Sequence, residues 1–194
     1  MNTTASPIEI ACRISDLADY LDVDQADTIL GFTAMQATAQ AVEFLECDLV
    51  ARDRVTTYQH WPYSGTATHP SLSRQDARLI HDIELPYANL EPESQVTVTV
   101  YGETVTEFET LATKPAKVRL YPSYGTDDQP AIVLAYRSGF GESVEDVPSE
   151  IQYGVLTLAA FLFEHRGHCE ADEAMRRSGA AGMLGPYRLR AVRL

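Results

Sequence analysis

His165, His168 and Cys169 fall within five residues and offer two imidazoles and a thiol, the side chains that most often hold zinc. A zinc site takes three or four ligands, commonly through Cys-x-x-Cys or His-x-x-x-His spacing. Here Gly167 interrupts the helical pattern, so His165 and His168 need not share a face, and no fourth ligand is apparent. The group reads better as a polar helix end with a cation near its C-terminus. Asp22, Asp24 and Asp27 have the acidic rhythm of a calcium loop without its glycine or its distal bidentate Glu, and helix capping accounts for them. Ser138-Gly139 does not sit in Gly-x-Ser-x-Gly, and Gly139-Phe140-Gly141 lacks the third glycine and following helix of a dinucleotide fingerprint. His60-Trp61-Pro62-Tyr63 is either a ligand platform or a strand end packed on the core. Glu142, Glu145, Asp146 and Glu150 read as solvated loop and first-turn charge. No set of residues assembles an active site, so the expectation is a non-enzyme with no cofactor and no metal.

Those residues hang on two apolar segments. Ile151, Val155, Leu158 and Leu162 recur at steps of four, three and four, one face of a helix over residues 148–166. Leu156, Ala159, Ala160 and Phe163 widen that face until little polar surface is left. Such a helix must be covered by its own chain or by a neighbouring copy. Pro148 suits its first turn and Gly167 stops it. Its apolar stretch, 151–163, is shorter than the roughly 20 residues of a membrane span. Asp24 and Asp27 offer a cap and a first-turn acid for a second long helix running to about Glu46, with Ile29, Phe32, Met35, Ala39, Val42 and Leu45 as its apolar stripe. A shorter helix carries Ile14, Leu17 and Leu21. It starts either at the capping box Ser6-Pro7-Ile8-Glu9 or at Ser15, the latter leaving the first dozen residues as an arm.

Between the helices the composition turns to Thr, Val and Tyr. Residues 54–61 read as a strand, and residues 64–82 as a polar loop with a helical turn near 75–79. Val96, Val98 and Val100 alternate with Thr97, Thr99 and Tyr101, the period of a half-buried strand. Gly102-Glu103 turns into a strand over 104–108. Segments 118–121 and 131–136 flank Gly125-Thr126-Asp127-Asp128 as a hairpin, the second wholly apolar and therefore central. A short helix over 171–177 follows. The fold class is α+β: a helical core from residues 1–52 and 146–194, with a β-rich insert at 53–141, in a single domain of 194 residues.

A net charge of −13 argues against wrapping nucleic acid, which needs clustered Lys and Arg. The three cysteines, Cys12, Cys47 and Cys169, have no short spacing and indicate a reduced, intracellular assembly site rather than a disulfide scaffold. No signal peptide is read at the N-terminus. From Ala174 onward there are five arginines and no acid. Gly179, Gly182 and Gly185 free the backbone, and Pro186 discourages a helix. Tyr187, Leu189, Val192 and Leu194 then alternate with Arg188, Arg190 and Arg193. This end is either a protein-docking arm or a solvated tail.

Short motifs spread in order along the chain resemble the head–tail connector (head-completion adaptor) proteins of long-tailed phages and gene transfer agents. They are Leu17-Ala18-Asp19-Tyr20-Leu21-Asp22-Val23-Asp24, Val42-Glu43 with Leu49-Val50, Thr57 with Trp61-Pro62, and Tyr136-Arg137-Ser138-Gly139-Phe140. Val147-Pro148 with Ile151 then leads to Phe163-Glu164-His165-Arg166, and Leu184-Gly185-Pro186-Tyr187-Arg188 follows. Asp22 stands where the family usually has a basic residue. The resemblance implies a structural virion neck protein, assembled in the bacterial cytoplasm. Its copies would form a ring, typically a dodecamer, beneath the portal protein and above a stopper or tail-completion protein. DNA would pass through without specific binding and no membrane would be involved. Tyr187, Arg188, Leu189, Arg190, Val192, Arg193 and Leu194 become the expected portal-gripping arm, and an acidic lumen would keep the conduit from binding its cargo. The competing readings are another neck or tail-completion protein, or a small metal-dependent enzyme using His165, His168 and Cys169.

Overall fold

The structure, a computed structural model, describes residues 1–59, 81–89, 95–120, 131–165 and 170–189. The fold class is α+β. The chain forms two compact units, Met1–Ser6 with Asp53–Ser138, and Pro7–Arg52 with Gly139–Leu194.

Among its described residues the first unit is built of β-strands. Its five-stranded antiparallel sheet has the order β1 (Asn2–Ala5), β2 (Arg52–Tyr58), β8 (Ile132–Ser138), β4 (Val96–Val100), β5 (Glu103–Val105). A three-stranded sheet has the order β3 (His81–Glu84), β7 (Lys117–Leu120), β6 (Phe108–Leu111). The alternation read from the valines holds: Val98 and Val100 are buried, with Val98 opposite Leu134 and Val100 opposite Ile132. Both sheets feed one core, to which Tyr58, Ile83, Val118, Leu120, Leu134 and Tyr136 contribute. The two tyrosines also tie the sheets together by hydrogen bonds. Tyr58 donates its hydroxyl to the Glu84 carbonyl at 2.8 Å, and Tyr136 to the Pro86 carbonyl at 2.6 Å. Arg119 is flanked in register by Asp82 and Glu109 and bonds both carboxylate oxygens of Asp82, at 2.8 and 3.0 Å.

Three sequence expectations need correcting here. The first dozen residues are not an arm, because residues 2–5 pair antiparallel with β2, Thr3 standing opposite Thr56. The segments before and after residues 121–130 do not form a hairpin pair, since β7 and β8 belong to different sheets. The turn after β4 falls at Tyr101-Gly102, both with positive φ, one residue earlier than expected. The strand then breaks into β5 and β6. Of the loop expected over 64–82, residues 81 and 82 instead begin β3, and the rest with its helical turn lies outside the described residues.

The second unit is helical: α1 (Ile14–Leu21), α2 (Thr28–Leu45), α3 (Ser149–Glu164), α4 (Ala171–Arg177) and α5 (Ala180–Leu184). The Ser6 start of α1 is not used. Residues 7–13 are extended or bent, and the Ala11 N–H donates to Thr38 Oγ1 of α2 at 3.1 Å. Asp27 caps α2, accepting from the Ile29 N–H at 2.9 Å. Pro148 sits one position before α3 rather than in its first turn.

Helix α3 is the core helix. Ile151, Val155 and Leu158 are fully buried, while Leu162, nearer its end, is only partly so. Its own unit covers it, with α1, α2, α4 and α5 all packed against it. At Gly154 an added Cβ would lie 2.8 Å from Leu184 Cδ2, so the glycine sets how closely α5 approaches. The stripe expected on α2 holds at Val42 and Leu45 and fails at Ile29, Phe32 and Met35. Leu30, Ala34, Ala37, Ala41, Val42 and Leu45 are the buried face, whereas Ile29, Phe32 and Met35 are 38%, 74% and 45% exposed. A helix apolar on nearly all sides has no periodicity to say which side packs. Here the alanine side packs, where small side chains let α3 come close.

Candidate functional site

Of the metal candidate only His165 lies among the described residues. His165 ends α3, with Nδ1 3.0 Å from the Phe161 carbonyl and its ring stacked on Phe161 at 4.1 Å between centroids. The Arg177 guanidinium approaches the Phe161 ring at 5.5 Å, so Arg177 of α4 meets the end of α3 there. His168 and Cys169 lie outside the described residues. No group of three or more His, Cys, Asp or Glu side chains among those described is placed to hold a metal ion. Asp27 caps α2 through the Ile29 N–H, Asp24 accepts from the Ala26 N–H in the turn before it, and Asp22 closes α1 in the left-handed conformation.

Both described cysteines are buried. Cys12 is buried, and that burial, with the Asp16 carboxylate adding to it, pushes its thiol up to about 12. Cys47 is buried too and donates its thiol to the Asp48 carbonyl. Ser138 turns its hydroxyl to the Tyr87 carbonyl at 3.4 Å. The acidic group near residue 145 is structural. Asp146 closes a capping box with Ser143, and Glu145 receives the Arg13 guanidinium at 2.9 Å. Glu145 lies below the ordinary carboxylate range, held there first by its own backbone N–H and then by Arg13 and Ser143. The aromatic cluster at residues 60–63 lies outside the described residues.

The C-terminal segment is less free than its glycines imply. Residues 180–184 are helix α5, a 3₁₀ turn spans Gly185–Tyr187, and Leu184 and Leu189 are buried. Arg188 lays its guanidinium 4.7 Å above the Phe44 ring, with Glu46 3.8 Å away. The Leu189 N–H donates to the Leu45 carbonyl at 3.0 Å. The segment therefore does not leave the unit at Gly182; it stays attached to the end of α2 through Leu189. Arg190, Val192, Arg193 and Leu194 lie outside the described residues. Beside Arg188 opens a cavity of about 540 Å³, lined by Ala39, Gln40, Phe44, Ala171 and Met175 among others.

Two features escaped the sequence reading. Asp48, with a fully buried side chain, pairs with Arg52 Nε at 2.7 Å, a buried ion pair that nothing in the local pattern announces. The Phe32 face of α2 did carry a signal: Thr28 to Val42 contains no charged residue in a chain of net charge −13.

No family model matches the chain, and no curated protein does. Solved structures do match. A chain from the neck of a native gene transfer agent particle, computed with C12 symmetry, superposes with a TM-score of 0.70 at 17% identity. The match covers 99% of this chain and 97% of that one. A chain from the neck of an empty particle, computed with C6 symmetry, gives 0.65 at 14% identity over 99% and 97%. A chain from the virion of the native particle gives 0.67 at 14% over 91% and 94%. This chain shares their fold. The likeness spans both compact units, helical and β alike. Among the described residues no helix is long and apolar enough to cross a membrane.

Proposed function

We propose that this chain is a head–tail adaptor of the virion neck, a structural and non-catalytic subunit. Copies close into a ring, a dodecamer, on the portal protein, with a stopper or tail-completion protein below. The whole chain, residues 1–194, serves as one connector subunit, and DNA passes from head to tail through the ring without specific binding. The observation that carries this reading is the fold, matched over 91% or more of the chain by three particle chains, two of them from necks. The net charge of −13 suits a conduit that must not hold its cargo.

The portal contact is assigned to the C-terminal end, with Tyr187, Arg188 and Leu189 as its base and Arg190, Val192, Arg193 and Leu194 as the grip. The base is anchored by the Arg188–Phe44 stack and the Leu189–Leu45 hydrogen bond. Beyond it, two guanidinium groups can take carboxylates bidentately and two apolar side chains can be buried. A short grip is weak in one copy and strong in a ring, where many copies engage together. Deleting residues 190–194 spares the anchored base, so the variant is expected to keep its circular dichroism and thermal midpoint but to lose capture by portal-bearing heads. Capture at wild-type occupancy would overturn the assignment.

A further inference from the structure

We propose that the exposed face of α2, centred on Phe32 and flanked by Ile29 and Met35, is the seam against which a second copy of this chain packs; this rests on the ring reading above. Three large apolar side chains at steps of three stand on one side of one helix, and Phe32 is the most exposed at 74%. Single exposed apolar residues are ordinary on a protein surface, but a row of them along one helix marks an interaction site. Helix α3, the more apolar helix by sequence, cannot be that seam, because its own unit already covers it.

Charge identifies the occupant. No Asp, Glu, Lys or Arg occurs from Thr28 to Val42, while Asp24 and Asp27 precede the stretch and Glu43 and Glu46 follow it. Two copies of net charge −13 repel each other, so a contact between them must fall where charge is absent. A basic partner would gain nothing from a neutral face and would be drawn to the acidic surface elsewhere. The face is also flat enough for helix-on-helix approach: a Cβ placed on Gly31 meets nothing within 4 Å, and Ala39 continues the row one turn beyond Met35.

At the C-terminal end of this face Ala39 and Gln40 enter the wall of the 540 Å³ cavity. There Gln40 Oε1 is buried without a hydrogen-bond partner. The cavity wall also carries Glu43, Asp172 and Arg188, so it lies at the charged edge of the seam rather than within it.

Two full-length variants test this. With Phe32→p-benzoylphenylalanine, irradiation of assembled particles is expected to yield a covalent dimer of this chain. A cross-link to any other protein, or none, would overturn the proposal. With Phe32→Glu and Met35→Glu combined, circular dichroism should be unchanged, because both positions face solvent in the subunit. Ring occupancy should fall at least about 30-fold, the loss that follows from removing one interface hot spot. A wild type that joins heads only as single copies would remove the ring reading itself. A ring in both wild type and double variant would remove only the seam.

Discussion

Gly139 is held against the backbone of another segment of the second unit. Its φ is +147°, and a Cβ there would fall 2.5 Å from the backbone N and Cα of Ala51. The surrounding hydrogen bonds, Phe140 N–H to the Leu49 carbonyl at 2.9 Å and Ala51 N–H to the Gly141 carbonyl at 2.7 Å, hold the two segments at that spacing. Gly139→Ala must therefore move backbone rather than a flexible side chain, and a loss of about 2–4 kcal/mol is expected by chemical denaturation. A variant within 0.5 kcal/mol of wild type would mean the close approach is not rigid. The sequence marked this glycine only as part of a turn, since no local pattern reports which distant backbone will lie against it. Asp82 makes a second residue-level case. The hydrogen bond from Arg119 is the main cause holding its carboxyl below the ordinary value of 3.8. A carboxyl whose folded value is depressed adds stability above its unfolded value and loses it as pH falls through the folded one. Asp82→Asn should thus cost about 1 kcal/mol at neutral pH, the scale of a partly exposed pair. The gap between the two thermal midpoints should close as the pH drops below 3.8. A gap unchanged from pH 7 to pH 2 would contradict this.

At the scale of elements, the sequence located helices far better than it oriented them. The existence and C-terminal end of α2 and the whole of α4 are legible because uninterrupted helical pattern is a local signal, but α2 starts three residues later than the Asp24 cap implied, with Asp27 as its cap rather than its first-turn acid. The buried side of α2 is not legible. Phe32 and Met35 are larger than Ala34, Ala37 and Ala41, yet it is the smaller residues that are buried. Packing against α3 selects the opposite side because alanines permit the closer approach. Strand β1 was missed since Asn2-Thr3-Thr4-Ala5 has no apolar alternation; it is an edge strand defined by its partner β2. The split of β7 and β8 into different sheets was equally hidden, because a turn-like sequence between two strands does not say whether they pair. Among the site residues, the glycines at 179, 182 and 185 suggested a free arm. The buried Leu184 and Leu189 hold that stretch to the helices instead.

At the scale of the whole molecule, fold and charge point the same way. This acidic chain shares the fold of a particle-neck chain and carries a neutral, apolar face on α2 and a basic C-terminal end. The α+β class and the adaptor resemblance were both readable before any coordinates, through motifs spaced along nearly the whole chain. The surface that would join copies became visible only when α3 proved covered and α2 did not. The most direct measurement is a reconstruction, without imposed symmetry, of particles carrying this chain with an electron-dense label. A closed ring of labelled copies at the junction of head and tail is the expected result. Label in single copy, or anywhere other than that junction, would contradict the neck adaptor.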